Sequence, residues 1–233
     1  YTAVDHAEQE PDLAWRLTVE VPAAAARAAT VLDIPLVHIS TDYVFDGRRS
    51  TPYAEHDAVY PLNTYGRTKL AGELAVRTHC SKHWILRTSW LFSEFGQNFV
   101  TNMIRLAKTG RTIQVVTDQR GRPTYAGDLA KLIEGLVTNS ASNVPPFGIY
   151  HATDGPVMSW HGFAELIFEE ALNTGLLEEI PEVQPIPTSA YPTVAERPRN
   201  AVLVPSAIMI DFLPGGFNYM TGLRSTLAVL AGR

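Results

Sequence analysis

Cysteine is the scarcest resource of this 233-residue sequence: Cys80 stands alone, which excludes an internal disulfide and leaves no thiolate cluster for a metal. Basic residues are in deficit, 19 against 24 acidic ones for a net charge of −5, so the composition gives no electrostatic footprint for nucleic acid or a membrane surface. No apolar run approaches the roughly 18 residues that a membrane-spanning helix needs. Glycine is missing from the opening stretch, the first being Gly47. A phosphate-cradling turn, which needs glycine's positive φ and bare backbone, is therefore excluded from the residues before it. What is present is 45% apolar and 18% charged, enough to bury a sizeable core and unlike a disordered chain. These features predict a soluble protein of cytoplasmic type, built as one large domain or one domain with a satellite.

Residues 11–32 are alanine-rich, with Glu8, Glu10 and Asp12 near their start, where acidic side chains suit the positive end of a helix dipole. Pro22 is expected to kink or restart that helix. Apolar runs at 36–39, 84–87 and 112–116 predict buried strands, and 63–78, 98–108 and 128–137 predict helices between and after them. This alternation predicts an α/β fold with a doubly wound, Rossmann-like parallel sheet covered on both faces. The last third changes character: Pro181, Pro185, Pro187, Pro192, Pro198, Pro205 and Pro214 punctuate it and leave one clear helix, 159–172. Phe163, Leu166, Ile167 and Ala171 share one face of that helix. The expected division is a sheet portion over 1–145 and a smaller, loop-rich lobe over 146–233, with the chain crossing between them.

Two polar clusters interrupt this frame. Ser40, Thr41, Asp42 and Tyr43 follow the run Leu36-Val37-His38-Ile39, which places them at the carboxyl end of a parallel strand, where open α/β sheets bind ligands. Tyr65-Gly-Arg-Thr-Lys69 opens the helix at 63–78. Its i, i+4 spacing sets a phenol and an ammonium on one face, one turn apart. A cation there favours phenolate and lowers the phenol's pKa, suiting tyrosine to acid/base work nearer neutral pH. A hydroxyl at Thr41 can donate to a substrate carbonyl oxygen. Taken alone, the same pair is better read as a half-buried tyrosine followed by a solvated lysine. The order of strand end, loop and helix start is what points to an active site.

Ser-Thr-Asp-Tyr-Val-Phe-Asp-Gly (40–47) and Pro-Leu-Asn-Thr-Tyr-Gly-Arg-Thr-Lys-Leu-Ala-Gly-Glu (61–73) resemble the extended short-chain dehydrogenase/reductase family, and within it the dTDP-4-dehydrorhamnose reductases. Support runs along the chain through Leu-Arg-Thr-Ser-Trp-Leu-Phe (86–92), Gly-Gln-Asn-Phe (96–99), Asp-Gln-Arg-Gly-Arg-Pro-Thr (118–124), Pro-Thr-Ser-Ala-Tyr-Pro-Thr (187–193) and Arg-Pro-Arg-Asn (197–200). Tyr1-Thr-Ala-Val-Asp-His-Ala-Glu8 is similar to the segment after that family's fourth strand. The resemblance implies an oxidoreductase that uses NADPH or NADH to reduce a dTDP-linked 4-keto sugar in dTDP-rhamnose and polysaccharide biosynthesis. It implies Tyr65 as the acid that protonates the sugar's C4 oxygen, Lys69 on the nicotinamide ribose, and Thr41 orienting the C4 carbonyl with Asp42 beside it on the sugar. Tyr1, Thr2 and Ser40 would line the cofactor, making residues 1–145 a dinucleotide-binding portion. Trp90 would contact the deoxysugar or its nucleotide, although residue type alone makes it an ordinary core aromatic. A homodimer is the expected assembly.

Three departures stand beside the resemblance. Thr18 occupies the position where such reductases commonly carry an asparagine of the proton relay. Leu213-Pro-Gly-Gly-Phe-Asn-Tyr219 lacks a tryptophan expected before the last helix. The Gly-rich turn and the residue that chooses NAD or NADP are absent, so two βαβ units of roughly 60 residues are expected ahead of Tyr1. Without them a dinucleotide pyrophosphate has no helix N-terminus to rest on, and weak dinucleotide binding by these residues alone is expected. Arg197 and Arg199 suit a diphosphate, guanidinium forks on a proline-stiffened loop, or form a plain surface pair; Arg120 and Arg122 carry the same two readings. His79 and His83 with Cys80 between them read as an exposed helix end, not a metal site; His38 reads as a core histidine, and nothing assigns His151 or His161 to substrate. Two alternatives remain: a reductase of another nucleotide-linked 4-keto sugar, or a non-catalytic regulatory subunit resembling the beta subunit of methionine adenosyltransferase, which needs only to bind its partner.

Overall fold

The computed structural model describes residues 1–139, 144–213 and 215–232, so Pro214 of the proline series lies outside the described residues. The chain opens with helices α1 (Val4–Gln9) and α2 (Pro11–Trp15), passes through a π-helical turn at Arg16–Glu20 into α3 (Val21–Val31), and enters strand β1 (Leu36–Thr41). A 3₁₀ turn (Asp42–Val44) and a long loop lead to α4 (Thr64–His79) and β2 (His83–Thr88). Then follow β3 (Leu91–Phe92), α5 (Phe99–Ala107), β4 (Ile113–Val116), β5 (Arg120–Gly121), β6 (Thr124–Tyr125), α6 (Ala126–Thr138) and β7 (Gly148–His151). The remainder is β8 (Met158–Ser159), α7 (Trp160–Asn173), β9 (Val183–Ile186), α8 (Ala207–Phe212) and α9 (Tyr219–Ala231).

The central sheet is parallel, in the order β1-β2-β7, with Leu36 opposite His83 and Trp84 opposite Gly148. Its strands are apolar on both sides because helices cover both faces. Ile85 meets Ala26, Ala29 and Val76 from α3 and α4 on one face. On the other, Trp84 and Leu86 meet Leu129, Leu132 and Leu136 of α6 and Met209 of α8. A separate core joins Val100, Met103 and Ile104 of α5 and Ile113 and Val115 of β4 to Phe163, Ile167 and Phe168 of α7 and Leu223 and Leu227 of α9.

The cores divide the chain differently from the expected split at 145. Strand β7, after that boundary, belongs to the central sheet. Helix α5 and strand β4, before it, belong to the lobe, because their apolar faces have α7, α9 and β9 to pack against. The break in the first long helix also falls earlier than Pro22. It is the π turn at Arg16–Glu20, which runs without interruption into α3, and Pro22 sits just after it. Among the described residues, the proline-rich third holds two α-helices besides α7, namely α8 and α9. The two-residue strands β3, β5, β6 and β8 are too short to show a period in sequence.

Candidate active site

Two glycines let the site assemble. A Cβ on Gly66, in the first turn of α4, would lie 2.2 Å from the Tyr43 carbonyl oxygen, and one on Gly72 would lie 2.0 Å from that of Thr18. Only a bare backbone lets α4 press against both the 3₁₀ turn and the π turn. The N-terminus of α4 is held from two sides. Asn63 accepts from Gly66 N at 2.8 Å, and the Glu8 carboxylate of α1 accepts from Thr64 N at 2.6 Å and from the Thr64 hydroxyl at 2.8 Å.

This fixes Tyr65 beside the end of β1. Thr41 caps the 3₁₀ turn: its oxygen accepts from Tyr43 N at 3.2 Å while its hydroxyl donates to Asp42 Oδ1 at 2.9 Å. Burial holds the Tyr65 phenol well above its ordinary pKa, opposed by a hydrogen bond with Thr41 and reinforced by Asp42 and Tyr43. The direction is opposite to that expected from a neighbouring lysine, because desolvation is the largest influence and the charges acting on the ring, Asp42 and Tyr43, raise it further. A raised pKa keeps the phenol protonated and at the same time makes it a weaker acid than a free tyrosine.

Lys69, one turn on, donates to the Ile39 carbonyl oxygen at 2.5 Å. Burial lowers its pKa to about 8, with Glu73 pulling the other way. Asp42 is 2% exposed, and its Oδ2 has no hydrogen-bond partner. Burial raises that carboxyl to about 7 against the hydrogen bonds from Thr41 and the backbone. Tyr1 packs in the same small cluster as Tyr65 and Tyr43, its hydroxyl buried and unpartnered, whereas Thr2 is exposed. The Ser40 hydroxyl is committed to the Glu73 carboxylate.

A cleft of about 1060 Å³ lies next to this cluster, walled by the 46–52 loop, Leu62, Asp118 and Arg120, and the segment from Thr188 to Asn200. Arg48, Arg49, Arg120 and Arg199 are exposed along it. The main chain brings them together: Arg120 N donates to Arg199 O at 2.8 Å, and Asn200 N donates to Gly47 O at 3.1 Å. Gly47 has φ +67°, and a Cβ there would come within 2.4 Å of Pro198. Arg197 lines the cleft as well, but its guanidinium is bonded to Asp5 at 2.5 Å and to the Tyr43 hydroxyl at 3.0 Å. Tyr65, Thr41 and Lys69 are not in the cleft wall; Tyr65 packs edge-on against Tyr43, whose hydroxyl accepts from Arg197 of the wall. Arg122 turns away to the Gly155 carbonyl.

Trp90 follows β2 in the left-handed region, φ +48°, costly for a bulky side chain. Its ring stacks on Trp160 at 3.6 Å and rests against Gly121. His83 bonds the Cys80 carbonyl, and among the described residues no group of three or more His, Cys, Asp or Glu is placed to hold a metal ion. His38 and His151 are held neutral, burial lowering each to about 4. No helix among the described residues is long and apolar enough to cross a membrane.

Residues 1–231 match the family model described as the RmlD substrate binding domain. The dTDP-4-dehydrorhamnose reductase of Shigella flexneri is 44% identical over 203 residues, which cover 87% of this chain and 68% of that protein. The chain belongs to the dTDP-4-dehydrorhamnose reductase family. Another member, from Burkholderia thailandensis, is 39% identical over 232 residues, covering 96% of this chain and 78% of its own. The crystal structure of the Bacillus anthracis dTDP-4-dehydrorhamnose reductase in complex with NADP superimposes with a TM-score of 0.83 at 37% identity, covering 97% of this chain and 75% of that one.

In this member of the dTDP-4-dehydrorhamnose reductase family, four side chains of the site escaped the reading of the sequence: Asp5, Glu8, Glu73 and Arg87. Asp5 and Glu8 carry no local signal, since each finds its partner far along the chain. Arg87 did carry one. An arginine inside an apolar strand must meet a buried acid, and Glu73 is that acid.

Proposed function

We propose that this chain reduces dTDP-4-dehydro-6-deoxy-L-mannose to dTDP-L-rhamnose, using NADPH or NADH. The observation that carries the reading is the buried Tyr65 phenol beside Thr41 at the end of β1, with Lys69 one turn along the same helix face, in a member of the dTDP-4-dehydrorhamnose reductase family. The buried, unpartnered Tyr1 hydroxyl and an ammonium with one of its three donors spent on Ile39 fit a dinucleotide's ribose hydroxyls and amide. A bound reduced nicotinamide supplies the hydride. Tyr65 donates the proton that the C4 oxygen gains, and the Thr41 hydroxyl steadies that oxygen as negative charge develops on it. Asp42 Oδ2, without a partner in the protein, accepts from a sugar hydroxyl. Lys69 holds the ribose and its positive charge favours the tyrosinate left behind. Arg48, Arg120 and Arg199 face the diphosphate, and Trp90 flanks the sugar end.

The test is NADPH consumption by the full-length protein with the keto-sugar. Tyr65→Phe removes only the donor and should lower kcat by about 10²–10⁴-fold with little change in KM. Unaltered turnover in Tyr65→Phe rejects the assignment. Cofactor binding without reduction of any 4-keto sugar favours the regulatory reading instead.

A further inference from the structure

Tyr65, Lys69 and Glu73 recur every four residues, so they form one stripe along α4. Each meets β1 in turn: Tyr65 lies at Thr41, Lys69 bonds Ile39 O, and Glu73 accepts from Ser40. Glu73 is 1% exposed and Arg87 3%. Their contact is a two-pronged fork, Arg87 Nε to Oε1 at 2.9 Å and Nη2 to Oε2 at 2.7 Å. Arg87 pairs with Ser40 across the β1–β2 register, so the three groups form a closed triangle spanning helix and both strands. The guanidinium is itself pinned, donating to Glu55 O at 3.3 Å and lying 5.2 Å from the Phe45 ring centre.

A buried ion pair is a poor source of stability, since well-packed apolar residues of similar volume commonly do as well or better. What the fork supplies is direction: two parallel bonds fix both the distance and the angle between partners. Here that direction is transmitted along a rigid helix to the phenol two turns away, and along β1 to Thr41, the very next residue after Ser40. We propose, resting on the reductase reading above, that Glu73 is a positioning residue, clamped by Arg87 and Ser40 so that Tyr65 and Lys69 stay in register with Thr41. Glu73 also favours the Lys69 ammonium electrostatically. The other titratable groups facing Lys69 are His38 of β1, neutral in the folded protein, and Arg87 behind Glu73 on β2.

The experiment compares the full-length wild-type protein with Glu73→Leu/Arg87→Met and with Arg87→Lys, following NADPH consumption with the keto-sugar across the alkaline range. The double variant keeps the buried volume and should melt no lower than wild type. Its kcat should fall by about tenfold or more while KM stays within about threefold, and its alkaline limb should move to lower pH. Arg87→Lys keeps the charge, loses the fork, and should fall between. A folded double variant with wild-type kcat and an unmoved limb overturns the proposal. If the double variant does not fold, wild-type kcat in Arg87→Lys overturns it. Failure of the wild type itself to reduce the sugar is seen before any variant is compared and rejects the reductase reading, and the proposal with it.

Discussion

Replacing Asp42 by asparagine should make the protein more stable at alkaline pH and less active. The carboxyl is 2% exposed, takes one hydrogen bond from Thr41, and is pushed by burial from 3.8 to about 7. An acid whose folded pKa lies above its unfolded one keeps its proton in the folded state after the unfolded chain has released it. Stability therefore falls as pH rises from about 4 to about 7, and stays lower above that. A displacement from 3.8 to about 7 amounts to about 4 kcal/mol once both states are ionised, of which about 2–3 kcal/mol accrues between about pH 5 and about pH 8. Asparagine cannot ionise, so the variant escapes this loss. Its unpartnered amide costs about 1–3 kcal/mol at every pH and cancels when the two pH values are compared. His38 and His151 are present in both proteins and cancel as well. Urea unfolding of both proteins at the two pH values should show the variant gaining about 2–3 kcal/mol on wild type. Parallel pH dependences would refute a buried, partly orphaned carboxylate at this position. The same variant should reduce the keto-sugar more slowly, because Oδ2 no longer accepts a hydroxyl; a site can be catalytically useful and unstable for one reason.

Arg199→Ala should raise KM for the nucleotide sugar by about tenfold, worth about 1.4 kcal/mol, with kcat kept; an unchanged KM removes Arg199 from the diphosphate site. Arg197→Ala should instead lower stability by about 1–2 kcal/mol, seen in urea unfolding, since it frees Asp5 and the Tyr43 hydroxyl. Gly121→Ala places a methyl 2.3 Å from the Trp90 ring. It should cost about 1–3 kcal/mol and shift tryptophan emission by unstacking Trp90 from Trp160; unchanged melting and emission would count against that packing.

Periodicity made the parallel strands β1 and β2 and the helices α4, α5, α6 and α7 legible, because burial imposes a repeat of two or 3.6 on whichever residues carry it. Residue chemistry at fixed spacing made Tyr65 and Lys69 legible, and position at a strand end did so for Thr41. All of these are local, lying within one element or at its edge. The division into two cores was not local. Whether α5 and β4 lie with the sheet or with the lobe depends on which apolar face finds α7 and α9, and both choices satisfy the same pattern. The phenol's acidity was not local either. From the sequence a lysine one turn away lowers it; in the fold, the desolvation of a ring enclosed by α1, α4 and the Asp42–Val44 turn raises it. The sequence by itself determined the parallel α/β frame and which side chains meet at the end of β1. Only the tertiary structure decided their protonation, the engagement of Arg197 with Asp5, and the union of Glu73 with Arg87, because burial and long-range partners exist only once the chain has closed around them.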